Sequence, residues 1–240
     1  MDHTGGKAEV DEWENSFELG AGFPSIRSYN RLIVPLKKYT KSPFKWIRRD
    51  AIVSLPHAHG YLDSHIWAYD SILERTRKSF LRGSGNISDG ILNIAVHIRR
   101  GDVTPSDCQR YTLDSSIITT IGCITRACTK FDVEYDITIY SQGKESDFSN
   151  FADCKLRLNL NPLDTLRALA TAGLIVMAKS SFSYVAALLS EGIVVYEPFW
   201  HTPRDRWVKA GDEAAIERCI SHYASQLPRQ LLLPDASLQR

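Results

Sequence analysis

From residue 91 onward, short apolar runs and segments of helical length take turns, and this alternation limits the fold more than any other feature of the chain. Residues 91–98 (ILNIAVHI) read as a buried strand and 114–131 as a helix. Strand 136–141, a short helix at 145–152, strand 155–160 and helix 162–172 follow. Strand 174–178, helix 180–191, strand 193–198 and a last helix near 211–227 complete the series. Strands that are apolar nearly throughout are buried on both faces, and helices between them supply the crossovers that parallel pairing needs. The expected fold class is therefore α/β: a Rossmann-like domain over residues 90–225, its parallel sheet carrying helices on both faces.

Residues 1–85 form a separate N-terminal segment. Its start is polar and bears glycines, and "ELGAGFP" is given a turn role rather than that of a nucleotide loop. Residues 62–81 show apolar Ile66, Trp67, Ile72 and Leu73 at helical spacing, with Asp63 as the N-cap. The stretch 82–90 (RGSGNISDG) is the linker.

At 240 residues and 43% hydrophobic content the chain can bury a real core. Lys and Arg number 29 against 28 Asp and Glu, so no global field draws it to nucleic acid, and any anion site has to be local. The five cysteines form no CxxC or Cys/His set, and His57, His59 and His65 have no ligand spacing, so no metal is expected. No run approaches the ~18 apolar residues of a membrane span, and the first residues lack the basic start and apolar centre of a signal peptide. The expectation is a soluble chain without a transmembrane segment.

In open α/β sheets ligands bind beyond the carboxyl ends of the strands. Those ends hold His97, Arg99, Arg100 and Asp102, then Ser141 and Gln142, Asn161 and Asp164, Lys179 to Phe182, and Glu197 to His201. Adjacent arginines on extended backbone point to opposite faces, so Arg99 is expected to meet a ligand while Arg100 packs or pairs, for example with Asp102. Ser180 and Ser181 open an apolar helix closing at Gly192, whose free amides and dipole suit an anion, although ordinary capping also accounts for them. Asn161, Pro162 and Asp164 fit the first turn of a helix, and a carboxylate there can also accept from paired N–H groups of a guanine edge. "RGD" at 100–102 continues a buried strand end, which argues against an adhesion loop.

These residues resemble a known family. "HIRRGD" after an apolar strand, then "ITIYSQ", then "LDTLRALATAGLIVMAKSSFSYVAALLS" are similar to the donor-binding half of GDP-fucose-dependent fucosyltransferases, of the α1,2-/α1,6-fucosyltransferase and protein O-fucosyltransferase type. The resemblance covers roughly residues 90–200. It implies a GT-B type donor domain preceded by a reduced acceptor-side segment, and an inverting, metal-independent transferase with no cofactor beyond its GDP-sugar donor. The acceptor would be a hydroxyl of a glycan or glycoprotein. Carried over by motif, Arg99 would hold the β-phosphate, and His97 and Asp164 would lie by the guanosine. Ser180, Ser181 and Phe182 would line the phosphate and base pocket, with Arg100 and Ser141 beside them. Asp107 stands at the spacing of the catalytic base, with Asp102 as the second choice. The chain departs from the family in lacking a clear G-x-G-N segment and in having Gln142 where an acid often stands. A non-catalytic GDP-sugar-binding module is the alternative reading.

Overall fold

The computed structural model describes residues 70–82 and 90–227, together with Asp63 and two short strands near the N-terminus. The linker stretch 83–89, the glycines of "ELGAGFP", and His57, His59 and His65 lie outside the described residues. The chain divides into two compact units, Met1–Phe80 and Leu81–Arg240.

In the first unit β1 (Ile33–Pro35) pairs in parallel with β2 (Ile52–Ser54). Helix α1 (Asp70–Phe80) carries Asp70 in its first turn and Arg77 and Lys78 in its last, the charge order that the helix dipole favours. Glu74 reaches both basic residues, at 2.9 and 3.1 Å.

The second unit contains β3 (Leu92–His97), α2 (Asp114–Lys130), β4 (Tyr135–Ser141) and a 3-10 turn (Glu145–Phe151). Next come β5 (Lys155–Leu158), α3 (Pro162–Thr171), β6 (Leu174–Val176) and α4 (Ser181–Leu189). The series ends with β7 (Ile193–Tyr196), β8 (Val208–Lys209) and α5 (Glu213–Gln226). All six strands run parallel in the order β5-β4-β3-β6-β7-β8. The unit is thus the Rossmann-like α/β sheet that the alternation predicts, with β8 as an additional edge strand. Among the described residues no helix is long and apolar enough to cross a membrane.

Burial follows the pleat. Leu92, Ile94 and Val96 of β3, with Ile98 just after it, join the core made with Ile117, Ile124 and Cys128 of α2 and Ile216 and Ile220 of α5. Two ion pairs reinforce the α2–α5 contact, Arg126 with Glu213 at 2.7 Å and Lys130 with Glu217. Helices α3 and α4 pack on each other and bury Leu163, Leu166, Leu169, Tyr184, Ala186 and Leu189. Because side chains alternate along a strand, Ile98 and Arg100 share the α2 side, while His97 and Arg99 take the other.

Strand order places the reversal of chain direction across the sheet between β3, the first strand of this unit, and β6, its fourth. There, consecutive connections leave for opposite faces, and this is the place where open α/β sheets bind ligands.

Candidate functional site

Two strand ends meet at the reversal point. Strand β3 pairs with β6 through Val96 and Val176, and both strands then run out into loops. His97, the last residue of β3, brings its ring to 5.4 Å from that of Phe182 in the first turn of α4, tilted by 50°. The β3 end and the α4 N-terminus therefore meet at the reversal point.

The imidazole Nδ1 of His97 is buried and has no hydrogen-bond partner among the described residues. Burial, followed by the neighbouring Arg99 charge, pulls its pKa down to about 4, so the ring is neutral at pH 7. A neutral ring with an open nitrogen can accept or donate one hydrogen bond, according to tautomer.

Arg100 turns toward α2. Its Nη2 donates to Asp114 Oδ1 at 2.5 Å and to the Thr112 carbonyl at 3.2 Å, its Nη1 donates to the Arg99 carbonyl at 2.8 Å, and its guanidinium lies 4.0 Å from the Tyr111 ring centroid. It holds the β3–α2 loop against the start of α2. The pairing with Asp102 that its sequence position suggested is not the one formed, because alternation sends Arg100 to the face occupied by Asp114.

Asp102 pairs with Arg99 instead. Gly101 adopts φ 88°, a left-handed conformation that costs a glycine little and folds the Asp102 carboxylate back onto the strand end. Arg99 donates to it twice, Nε to Oδ1 at 3.1 Å and Nη2 to Oδ2 at 2.6 Å. Arg110, a residue without a sequence pattern to mark it, donates from Nη2 to the same Oδ2 at 3.0 Å and reaches Asp107 from Nη1 at 3.5 Å. The hydrogen bond from Arg99 lowers the Asp102 pKa, and the charges of Arg99 and Arg110 add to that effect. Asp102 is thereby a poor proton acceptor.

At the β6 end Ser180 caps α4: it is buried, and its hydroxyl accepts from the Phe182 amide at 3.2 Å. Ser181 is exposed, and its hydroxyl lies 2.9 Å from His201 Nε2. His201 stacks on Tyr184 with ring centroids 4.3 Å apart. Lys179 Nζ donates to the Cys108 carbonyl at 3.2 Å, tying the β3–α2 loop to the start of α4. Just after β7, burial raises the pKa of Glu197, and Lys179 opposes the rise.

Three further predicted residues stand at the ends of β4 and β5. The buried Ser141 hydroxyl donates to the Ile98 carbonyl at 2.6 Å, joining the β4 and β3 ends, so its evident task is to hold the strand ends together. Asn161 caps α3 by accepting from the Leu163 amide at 2.8 Å. Asp164 stands in the same turn with an exposed carboxylate, 3.8 Å from Arg167. The loops at the β3 and β6 ends thus carry two guanidiniums, the opening amides of α4, a neutral imidazole and an aromatic ring, residue types suited to an anion attached to a flat or apolar group.

Compared with protein-family models, curated proteins and solved structures, the chain matches none of them.

Proposed function

We propose that this chain is an inverting, metal-independent glycosyltransferase of GT-B type that moves fucose, or a related sugar, from GDP-fucose to a hydroxyl of a glycan or glycoprotein. The observation that carries the reading is the meeting of the HIRRGD strand end with the serine-opened helix at the point where the sheet reverses, marked by the His97–Phe182 contact. The order of motifs along residues 90–200 supplies the choice of donor.

The chemistry follows from the leaving group. Cleavage of the sugar C1–O bond develops positive charge on the ring and leaves extra negative charge on the diphosphate. Fixed guanidinium and amide N–H groups stabilise that charge without reorganising. In this reading Arg99 and the α4 amides receive the diphosphate, neutral His97 and Phe182 flank the nucleoside side, and Asp164 accepts from the guanine edge. Inversion needs a single displacement, with Asp107 taking the proton of the acceptor hydroxyl.

Thermal-shift titration with GDP, UDP, ADP and CMP tests the donor. GDP is expected to raise the melting temperature most, and turnover of GDP-fucose is expected to drop at least about a hundredfold in Arg99→Ala, the scale of losing one fixed charge-stabilising donor. Equal shifts with all four nucleotides would remove the guanine assignment. The second reading, a binding module without turnover, draws on the ionic contacts that engage both Asp102 and Asp107. Preference for GDP with no hydrolysis or transfer would favour it.

A further inference from the structure

We propose that Arg110 is a second phosphate-binding residue, which forms with Arg99 a two-guanidinium cradle built on the carboxylate of Asp102; the inference deepens the diphosphate-sugar reading and rests on it. Exposed ion pairs are usually worth little, and Arg110 with Asp107 alone would be one of them. The arrangement around Asp102 is different. One oxygen, Oδ2, accepts from Arg99 Nη2 at 2.6 Å and from Arg110 Nη2 at 3.0 Å, so the two guanidiniums lie on either side of a single atom. With Asp107 on Arg110 as well, two guanidiniums face two carboxylates, so what the cluster offers an anion is its unused N–H groups rather than a surplus of charge.

Each guanidinium also has N–H groups that Asp102 does not use, because a guanidinium carries five. Asp102 orders both forks in advance, which reduces the freedom lost when an anion binds. Two neighbouring forks match two neighbouring phosphoryl groups, and the natural ligand is therefore a diphosphate rather than a monophosphate. The cradle is also held at the reversal point: Lys179, immediately before Ser180, bonds to the carbonyl of Cys108, two residues before Arg110. Gly101 makes the arrangement possible, since its left-handed turn brings Asp102 back beside Arg99.

This geometry links the two halves of the reaction. The guanidinium of Arg110 also lies 3.5 Å from Asp107, so in this reading the residue that meets the diphosphate touches the carboxylate assigned to the acceptor hydroxyl.

Calorimetric titration of the full chain with inorganic pyrophosphate, GDP and guanosine tests the cradle, using Arg110→Ala, Arg110→Gln and Arg110→Lys. Loss of the guanidinium is expected to weaken pyrophosphate and GDP about tenfold and to leave guanosine unchanged, with Lys recovering part of the loss. The Gln variant serves if Ala does not fold. Wild-type pyrophosphate affinity in both neutral variants, or an equal loss for guanosine, would overturn the proposal, as would a wild-type chain that binds no pyrophosphate. A chain that binds pyrophosphate through Arg110 yet takes ADP as readily as GDP would keep the cradle and reject the guanine donor.

Discussion

His97 closes β3 with a buried ring nitrogen, and the cost of charging that ring makes stability depend on pH. Its folded pKa is near 4 and its ordinary value is 6.5. Between those values the unfolded chain binds a proton that the folded chain refuses, so stability falls as pH drops through that window and is kept above it. Between pH 7 and pH 4.5 this group alone removes about 2 kcal/mol. Urea unfolding at both pH values should therefore show a smaller acid loss in His97→Gln than in the wild type, by about that amount. The same acid loss in both proteins would mean that the ring is not desolvated. Among single residues, those belonging to a pattern were legible in the sequence: Arg99 and Arg100 by alternation, and Ser180 by its place before an apolar helix. Arg110 was not, because a lone arginine in a loop acquires its partners only when Gly101 reverses the chain.

At the scale of elements, periodicity marked every strand and helix of the second unit except β8. That strand has two residues, too few to show a period, and only its pairing with Val195 and Tyr196 defines it. Helix α4 ends at Leu189 with Ser190 as its cap, before the glycine that reads as its stop. Gly192 has another reason to be glycine. A β-carbon there would stand 2.6 Å from the Gly173 carbonyl oxygen and nearer still to that of Ala172, backbone atoms of the α3–β6 connection that cannot rotate away. Gly192→Ala should therefore cost about 3 kcal/mol or more in a chemical denaturation midpoint, as overpacked positions do. Gly211→Ala is the control: φ is 77° and no atom of the described residues lies within 4 Å, so only the left-handed strain applies, about 1 kcal/mol. Equal costs at the two positions would mean that the turns after α3 and α4 do not pack as closely as described.

For the whole molecule, the decisive fact is strand order, which the sequence leaves open because any succession of strand and helix can wind several ways. Chain direction across the sheet reverses between β3 and β6, and this makes neighbours of residues about 80 positions apart, Val96 and Val176 among them, and brings His97 to Phe182. A ligand at that junction touches both halves of the sheet, whereas the α2–α5 layer carries no part of the site described above. Hydrogen exchange with and without GDP should consequently slow the loop from Arg99 to Leu113 together with the first turn of α4, and leave the middle of α5 as it was. The coupling matters more than its size, since ordering by one bound diphosphate restrains both segments at once. Protection of either segment alone would mean that the β3 end and the α4 amides serve different partners. The proposed diphosphate site would then fall even if GDP still bound the chain.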